Sequence, residues 1–304
     1  MGYDLSTLTD YTREHNLPLL KKSLFGSRTA NLFAKQTGIK SKAALNLFDT
    51  DAQFQDGACS FISSGSTAFT QRVIEVADVS VQEALCPRDL EKKWTQHEVM
   101  VGSAPDSVPF EVDFTDRKAQ VISKQLETAV WQGDTDSATN NLSKFDGILK
   151  HLTEASASLA NYSSGSAPDS GSVVGIIDEV YSNIPADIIE EEDVRIFVGN
   201  DVFRTYALAL RDKNLFQYST QPSNWEIIVP GTDIRVTAVN GMNTTGDVVA
   251  AKTEHLFVGV DLEGEEDDFE LWYSQDNRQV RFAVDFKMGT QIAFPDQIVY
   301  RKKV

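Results

Sequence analysis

Between Leu45 and Val81 the chain spells out two β-strands around a Gly/Ser-rich tip, too small a unit to bury both of its own faces. The first strand runs through Leu45, Leu47, Gln53 and Phe54 and ends near Asp56-Gly57. The tip follows, with Cys59 and Phe61 just ahead of Ser63-Ser64-Gly65-Ser66. The return strand alternates, with Val73, Glu75, Ala77, Val79 and Val81 on one side and Arg72, Ile74, Val76, Asp78 and Ser80 on the other. Period-two alternation marks a half-buried strand. A two-stranded ribbon of this length cannot bury both faces alone. It needs a partner surface, from its own chain or from a neighbour.

The rest of the chain reads as α+β. Residues 1 to about 35 are weakly periodic, with Leu17-Pro18-Leu19-Leu20 as scattered apolar anchors, and fit an extended arm or a loosely docked terminus. Leu85 to Trp94 starts a short helix with Pro87 in its first turn, and Met100 to Pro109 is a loop. Phe114 to Trp131 is the best helix, about 27 Å long at 1.5 Å per residue. Phe114, Val121, Ile122, Leu126, Ala129 and Val130 share its apolar face, and Lys118, Gln120, Lys124 and Glu127 the polar one. Gly133 is placed to stop it as a C′ residue. Ser163 to Ser172 has a linker composition, Ser172 can cap the helix that follows, and Asn200 can cap another.

Strands are expected at Arg195 to Val198, Glu226 to Val229, Ile234 to Val239, Leu256 to Leu262 and Phe269 to Tyr273. The last long strand directs Val280, Phe282, Val284, Phe286 and Met288 one way and Arg281, Ala283, Asp285 and Lys287 the other, with Gly289 breaking it.

Composition narrows the function. The chain has 304 residues and a formal net charge of −17, which repels phosphate and anionic lipid heads and disfavours a dedicated nucleic-acid binder. No stretch is long and apolar enough for a membrane-spanning helix, and the first residues lack the features of a secretory signal. Cys59 and Cys86 are the only cysteines, too few for a disulfide framework or a thiolate zinc site. His15, His97, His151 and His255 are scattered, and no phosphate loop or nucleophile elbow is present, so no catalytic residue, cofactor site or metal ligand is assigned. The Asp261 to Glu270 run could hold a hard cation, but its spacing does not match an EF-hand loop and a solvated tip is the simpler reading.

Four stretches carry a family resemblance. They are QRVIEVADVSVQEALCPRDLEKKW from Gln71, KQLETAVWQGD from Lys124 with FDGILK from Phe145, IFVGNDVFRTYALALRDKN from Ile196, and VRFAVDFKMGTQIAFPDQIVY from Val280. Together they resemble the major capsid proteins of tailed bacteriophages, those with the Hong Kong 97-like fold. The resemblance implies an N-terminal arm over 1–36 and an extended β-hairpin loop over 37–84. It implies a peripheral domain over 85–134 and 266–304, with a spine helix at 114–131, and an axial domain over 135–265. It also implies a structural, non-enzymatic protein that self-assembles into pentamers and hexamers tiling an icosahedral shell around double-stranded DNA. The DNA is held without sequence-specific binding. The virion capsid, assembled in the host cytoplasm, is its place, and portal, scaffold or decoration proteins are its partners. Leu17, Leu19, Phe48, Phe54, Phe61, Phe69, Arg72, Ile74 and Val76 are the expected inter-subunit contacts. An encapsulin-type compartment shell is the alternative within this fold, and a metal-dependent hydrolase using Asp261 to Glu270 the alternative outside it.

Overall fold

The computed structural model describes residues 29, 32–54, 56–57, 64–85, 110–191, 193–213, 225–261, 270–274, 276–277 and 279–304. Leu17, Leu19, Phe61, both cysteines, His15, His97, the short helix expected after Leu85 and the 100–109 loop lie outside the described residues, as do residues 262–269 of the acidic run.

In chain order the elements are β1 (Ala34–Gln36), β2 (Lys42–Thr50), β3 (Thr67–Glu75), β4 (Ala77–Leu85), α1 (Phe110–Gln132), α2 (Ile148–Glu154), β5 (Asn161–Gly165), α3 (Val173–Ser182), α4 (Ala186–Ile189), β6 (Val194–Gly199), α5 (Asn200–Asp212), β7 (Glu226–Ile228), β8 (Arg235–Val239), β9 (Val248–Lys252), β10 (Leu256–Val260), β11 (Glu270–Ser274), β12 (Gln279–Ile292) and β13 (Val299–Lys303). The α+β expectation holds.

β2 and β3 form a separate two-stranded ribbon. A five-stranded sheet is built on β12, which pairs antiparallel with β10, β11 and β4, while β1 adds to β10 in parallel. The third sheet has six strands in the order β5-β13-β9-β6-β8-β7.

The six-stranded sheet separates two cores. Phe197 of β6, Val249 and Ala251 of β9 and Tyr300 of β13 face α1, α2 and the even-numbered residues of β12. Their neighbours Ile196, Val198, Val248, Ala250 and Val299 face α3 and α5. Covering both faces explains why β6 and β9 are almost wholly buried instead of alternating. The β9 run VVAAK escaped the alternation test for that reason.

Several local expectations are corrected. Arg72 to Val81 is not one strand. β3 ends at Glu75, Val76 stands between strands, and β4 leaves to pair with β12. The buried set changes phase there, from Ile74 and Val76 to the partly buried Ala77, Val79 and Val81. Gly289 does not break the last strand, because β12 runs through it to Ile292 and pairs it with Gly259. Part of the linker-like stretch is β5, which lies parallel to β13. Ser172 occupies the N-cap position of α3, but its hydroxyl accepts the Asp169 N–H, 3.1 Å away, and caps no helical N–H. Gly199, not Asn200, is the N-cap of α5. Asn200 is instead the first helical residue, its N–H donated to Asn243 Oδ1 at 2.8 Å.

α1 begins at Phe110 and buries Ile122, Leu126, Ala129 and Val130 as expected. Val121 is 54% exposed, because at about 100° per residue it stands about 80° outside the arc of those four residues. Glu127, assigned to the polar face, is buried and accepts the Asn240 N–H at 2.9 Å.

Candidate assembly surface

The ribbon of β2 and β3 is in strict register, from Lys42 opposite Glu75 to Thr50 opposite Thr67. One face is a ladder of facing pairs. Lys42 is ion-paired with Glu75 at 2.9 Å, and Gln71 donates to Asn46 at 2.8 Å. Phe48 opposes Phe69 with ring centroids 5.3 Å apart, and the Thr50 and Thr67 hydroxyls meet at 3.2 Å. Facing pairs of this kind stabilise a ribbon by about 0.2–1 kcal/mol each. Yet Phe48 is 56% and Phe69 75% exposed, and Phe54 beyond the strand end is wholly so. Residues 43 to 71 carry Asp49, Asp51 and Asp56 and no lysine or arginine. The distal ribbon is thus an acidic rim around an uncovered aromatic pair.

At its root the ribbon turns its other face into its own protomer. Leu45, Ile74 and Val76 are buried with Ile39 in a small satellite core. Arg72 is half-buried, with Asp296 among the charges acting on it. Of the residues expected to meet a neighbour, Phe48 and Phe69 are brought together toward the open end, and Phe54 stands exposed beyond them. Ile74 and Val76 are satisfied internally, because Val76 is where the chain passes into the five-stranded sheet.

The landing for this root is the outward face of β12. The Gln291 side-chain amide donates to the Val73 carbonyl at 2.7 Å, and Lys287 Nζ lies 3.3 Å from the Lys40 carbonyl and 3.1 Å from Asp261 Oδ2. The glycine between them, Gly289, is covered by the Glu75–Val76 backbone.

The motifs WQGD and FDG form a second node. Trp131 is fully buried, donates its indole N–H to Thr29 Oγ1 at 2.9 Å, and packs against Phe33 and Phe197 at centroid distances of 5.4 and 5.5 Å. Phe33 is thereby held on the body just ahead of β1, so the end of the expected arm is docked on its own chain. The Gln132 amide donates to the Gly241 carbonyl at 2.5 Å, and Gly241 has no room for a side chain beside Trp131. Gly133 is needed for close approach, not for a left-handed cap. A Cβ there would stand 2.5 Å from the carbonyl oxygens of Ala129 and Phe145. Lys150 joins Asp134, Asp136 and Asp146 at 2.7, 3.0 and 2.9 Å. The Lys150 hydrogen bond holds the Asp134 carboxyl below its ordinary range, and the Asp134 and Asp146 carboxylates push the lysine up. For Asp146, burial acts upward but is outweighed by the Thr135 N–H and Lys150.

The candidate chemical groups are dispersed. His151 and His255 are half-buried, with His151 Nε2 and His255 Nδ1 lacking a hydrogen-bond partner among the described residues, and desolvation lowers both pKa values. Asp261 is the start of the acidic run, and its carboxylate is paired with Lys287. In the acidic stretch Asp187 to Asp193, DIIEEED, Glu191 is paired with Lys252. Among the described residues no group of three or more His, Cys, Asp or Glu is arranged to hold a metal ion, and no helix is long and apolar enough to cross a membrane.

This architecture, a long ribbon fixed at its root to a five-stranded sheet, with a long helix and two sheet-bound cores, is the fold seen in solved phage capsid structures. The solved structures it resembles are consistent on this point. The satellite phage P4 procapsid, including the size determination (Sid) protein, matches with a TM-score of 0.62 at 12% identity, over 94% of this chain and 89% of that one. The capsid of the native GTA particle matches with a TM-score of 0.59 at 12% identity, over 90% and 89%. Microbacterium phage Oxtober96 matches with a TM-score of 0.55 at 13% identity, over 91% of both chains. Neither a family model nor a curated protein sequence matches the chain.

Proposed function

We propose that this chain is the major capsid subunit of a tailed bacteriophage, self-assembling into pentamers and hexamers that tile an icosahedral shell around double-stranded DNA. The observation that carries the reading is the distal ribbon: a well-registered hairpin whose Phe48–Phe69 pair is left exposed by the described residues of its own protomer, on a chain with a phage capsid fold. Fully burying a phenylalanine is worth about 1.5–3 kcal/mol. A contact repeated head to tail around a ring sums that gain over every subunit.

In this reading residues 1–36 are the N-terminal arm, 37–84 the extended loop, 85–134 with 266–304 the peripheral domain, and 135–265 the axial domain. The node around Trp131 and Gly133 supports it by tying the end of α1 to the turn after β8 and to the start of α2. Phe48, Phe54 and Phe69 contact the neighbouring subunit, and Leu17, Leu19 and Phe61 extend that contact. The acidic surface fits a container whose wall attracts DNA weakly. The role is structural and needs no cofactor. Portal, scaffold and decoration proteins are its further partners, and the assembled particle is the virion capsid formed in the host cytoplasm.

The test is to express the chain and follow it by light scattering and negative-stain microscopy. Rings or shells are expected, and a monomer persisting at high concentration overturns the proposal. Native particles that enclose an enzyme in place of DNA would assign the shell to an encapsulin-type compartment.

A further inference from the structure

Two short segments join the ribbon to the body: residues 37–41, between β1 and β2, and Val76, between β3 and β4. The contacts at these two joints hold the ribbon in one direction. Gly259 of β10 stands directly opposite Gly289 of β12. Glycine in a strand interior is unfavourable and marks a close approach. Here the two missing side chains open a depression in the sheet. Ile74 fills it: a Cβ on residue 259 would stand 2.8 Å from Ile74 Cδ1 and 3.1 Å from Ile39 Cδ1, and one on residue 289 would fall on the Glu75 carbonyl. Two further residues on the same face of β12 bracket the depression. Gln291 holds the β3 side through Val73, and Lys287 holds the β2 side through Lys40. The Val76 N–H closes the root on the Ser41 carbonyl at 2.9 Å.

We infer that the Gly259–Gly289 notch sets the direction of the ribbon in the isolated protomer, so that the Phe48–Phe69 face is aimed before a neighbour is met. Ile74, Gln291 and Lys287 are positioning residues of this device, and none of them belongs to the exposed distal surface. Ordering a mobile segment on association opposes binding, and a segment already held in its bound direction avoids that loss. The consequence for assembly rests on the shell reading above; the geometry of the notch does not.

The experiment places a spin-label pair at Thr70→Cys and Glu154→Cys in a Cys59→Ser, Cys86→Ser background and measures the ribbon-to-body distance in the unassembled protomer by pulsed electron spin resonance. One narrow distribution is expected. Gly259→Ala broadens or displaces it and lowers the assembled fraction at fixed concentration by about tenfold. Adding Ile74→Val, which removes Cδ1, restores both. A broad distribution in the parent protein, no change in Gly259→Ala, or no recovery in the double variant overturns the inference. Should Gly259→Ala fail to fold, Gln291→Leu loosens the same root without a steric insult, and an unchanged distribution there overturns it equally. If the parent never assembles, the shell reading fails, and the distance distributions alone still decide the notch.

Discussion

Gly133 and Gly147 lie back to back: the Gly147 N–H donates to the Gly133 carbonyl at 2.8 Å, and a Cβ on Gly147 would stand 2.5 Å from the Gly133 nitrogen. This contact is why WQGD and FDG occur in one chain. The two glycines let the end of α1 and the start of α2 touch through their backbones, and the aspartates beside them, Asp134 and Asp146, then reach the same Lys150 ammonium.

Gly133→Ala and Gly147→Ala each force this backbone contact apart. Over-packing of this kind costs about 1–3 kcal/mol. A lower urea midpoint with an unchanged slope is expected for both, and a midpoint equal to the parent's would show that the contact yields freely.

Lys287→Met removes the ammonium 3.1 Å from Asp261, whose side chain is only 2% exposed. Breaking a buried pair from one side costs about 3–5 kcal/mol, whereas removing both charges is far milder. The Lys287→Met, Asp261→Asn double variant is therefore expected to be more stable than Lys287→Met alone by thermal unfolding. Equal melting temperatures would refute the pairing.

Phe48→Asp with Phe69→Asp removes a facing aromatic pair and sets like charges opposite each other, which costs the ribbon about 1–2 kcal/mol. It abolishes ring and shell formation, because an anion cannot take the covered position of the aromatic pair. Circular dichroism with sedimentation velocity reads both effects. Particles of normal size from the double variant would remove this face from the contact.

Acidification tests the two half-buried histidines, His151 and His255. Burial lowers both below their ordinary 6.5, so the unfolded chain binds protons that the folded one does not. Their contribution to stability is fully present above pH 6.5 and is lost progressively as pH falls from there through the folded pKa values. Asp247 acts in the opposite sense: burial raises its carboxyl above 3.8, so its contribution is present below pH 3.8 and fades as pH rises through its folded pKa. Urea unfolding between pH 7 and pH 5 is expected to show decreasing stability in the parent and a flatter slope in His151→Gln, His255→Gln. An unchanged slope would locate the pH response elsewhere.

The alternation of Phe282, Val284, Phe286 and Met288, the apolar stripe from Ile122 to Val130 and the paired strands of the ribbon were all legible from the residues, because each is a periodicity of one segment with its own solvent-averse face. Four quoted stretches also sufficed for the resemblance to phage coat proteins. What escaped were features owed to distant neighbours. Glu127 looks solvated until the turn at Asn240 arrives to donate to it. Ile74 and Val76 share one alternating run with Val79 and Val81, and only the departure of β4 toward β12 splits them between two cores. β9 carries no alternation because each face has a different core.

Local pattern therefore determined the α+β class of this protein and those elements that bury a single face, since their hydrophobic period depends on backbone repeat alone. Tertiary structure decided what the glycines do. Gly133, Gly147, Gly259 and Gly289 are indistinguishable from turn residues in one dimension. Their role lies in the space that another stretch of backbone or an isoleucine occupies beside them, and that space exists only once the chain has closed on itself.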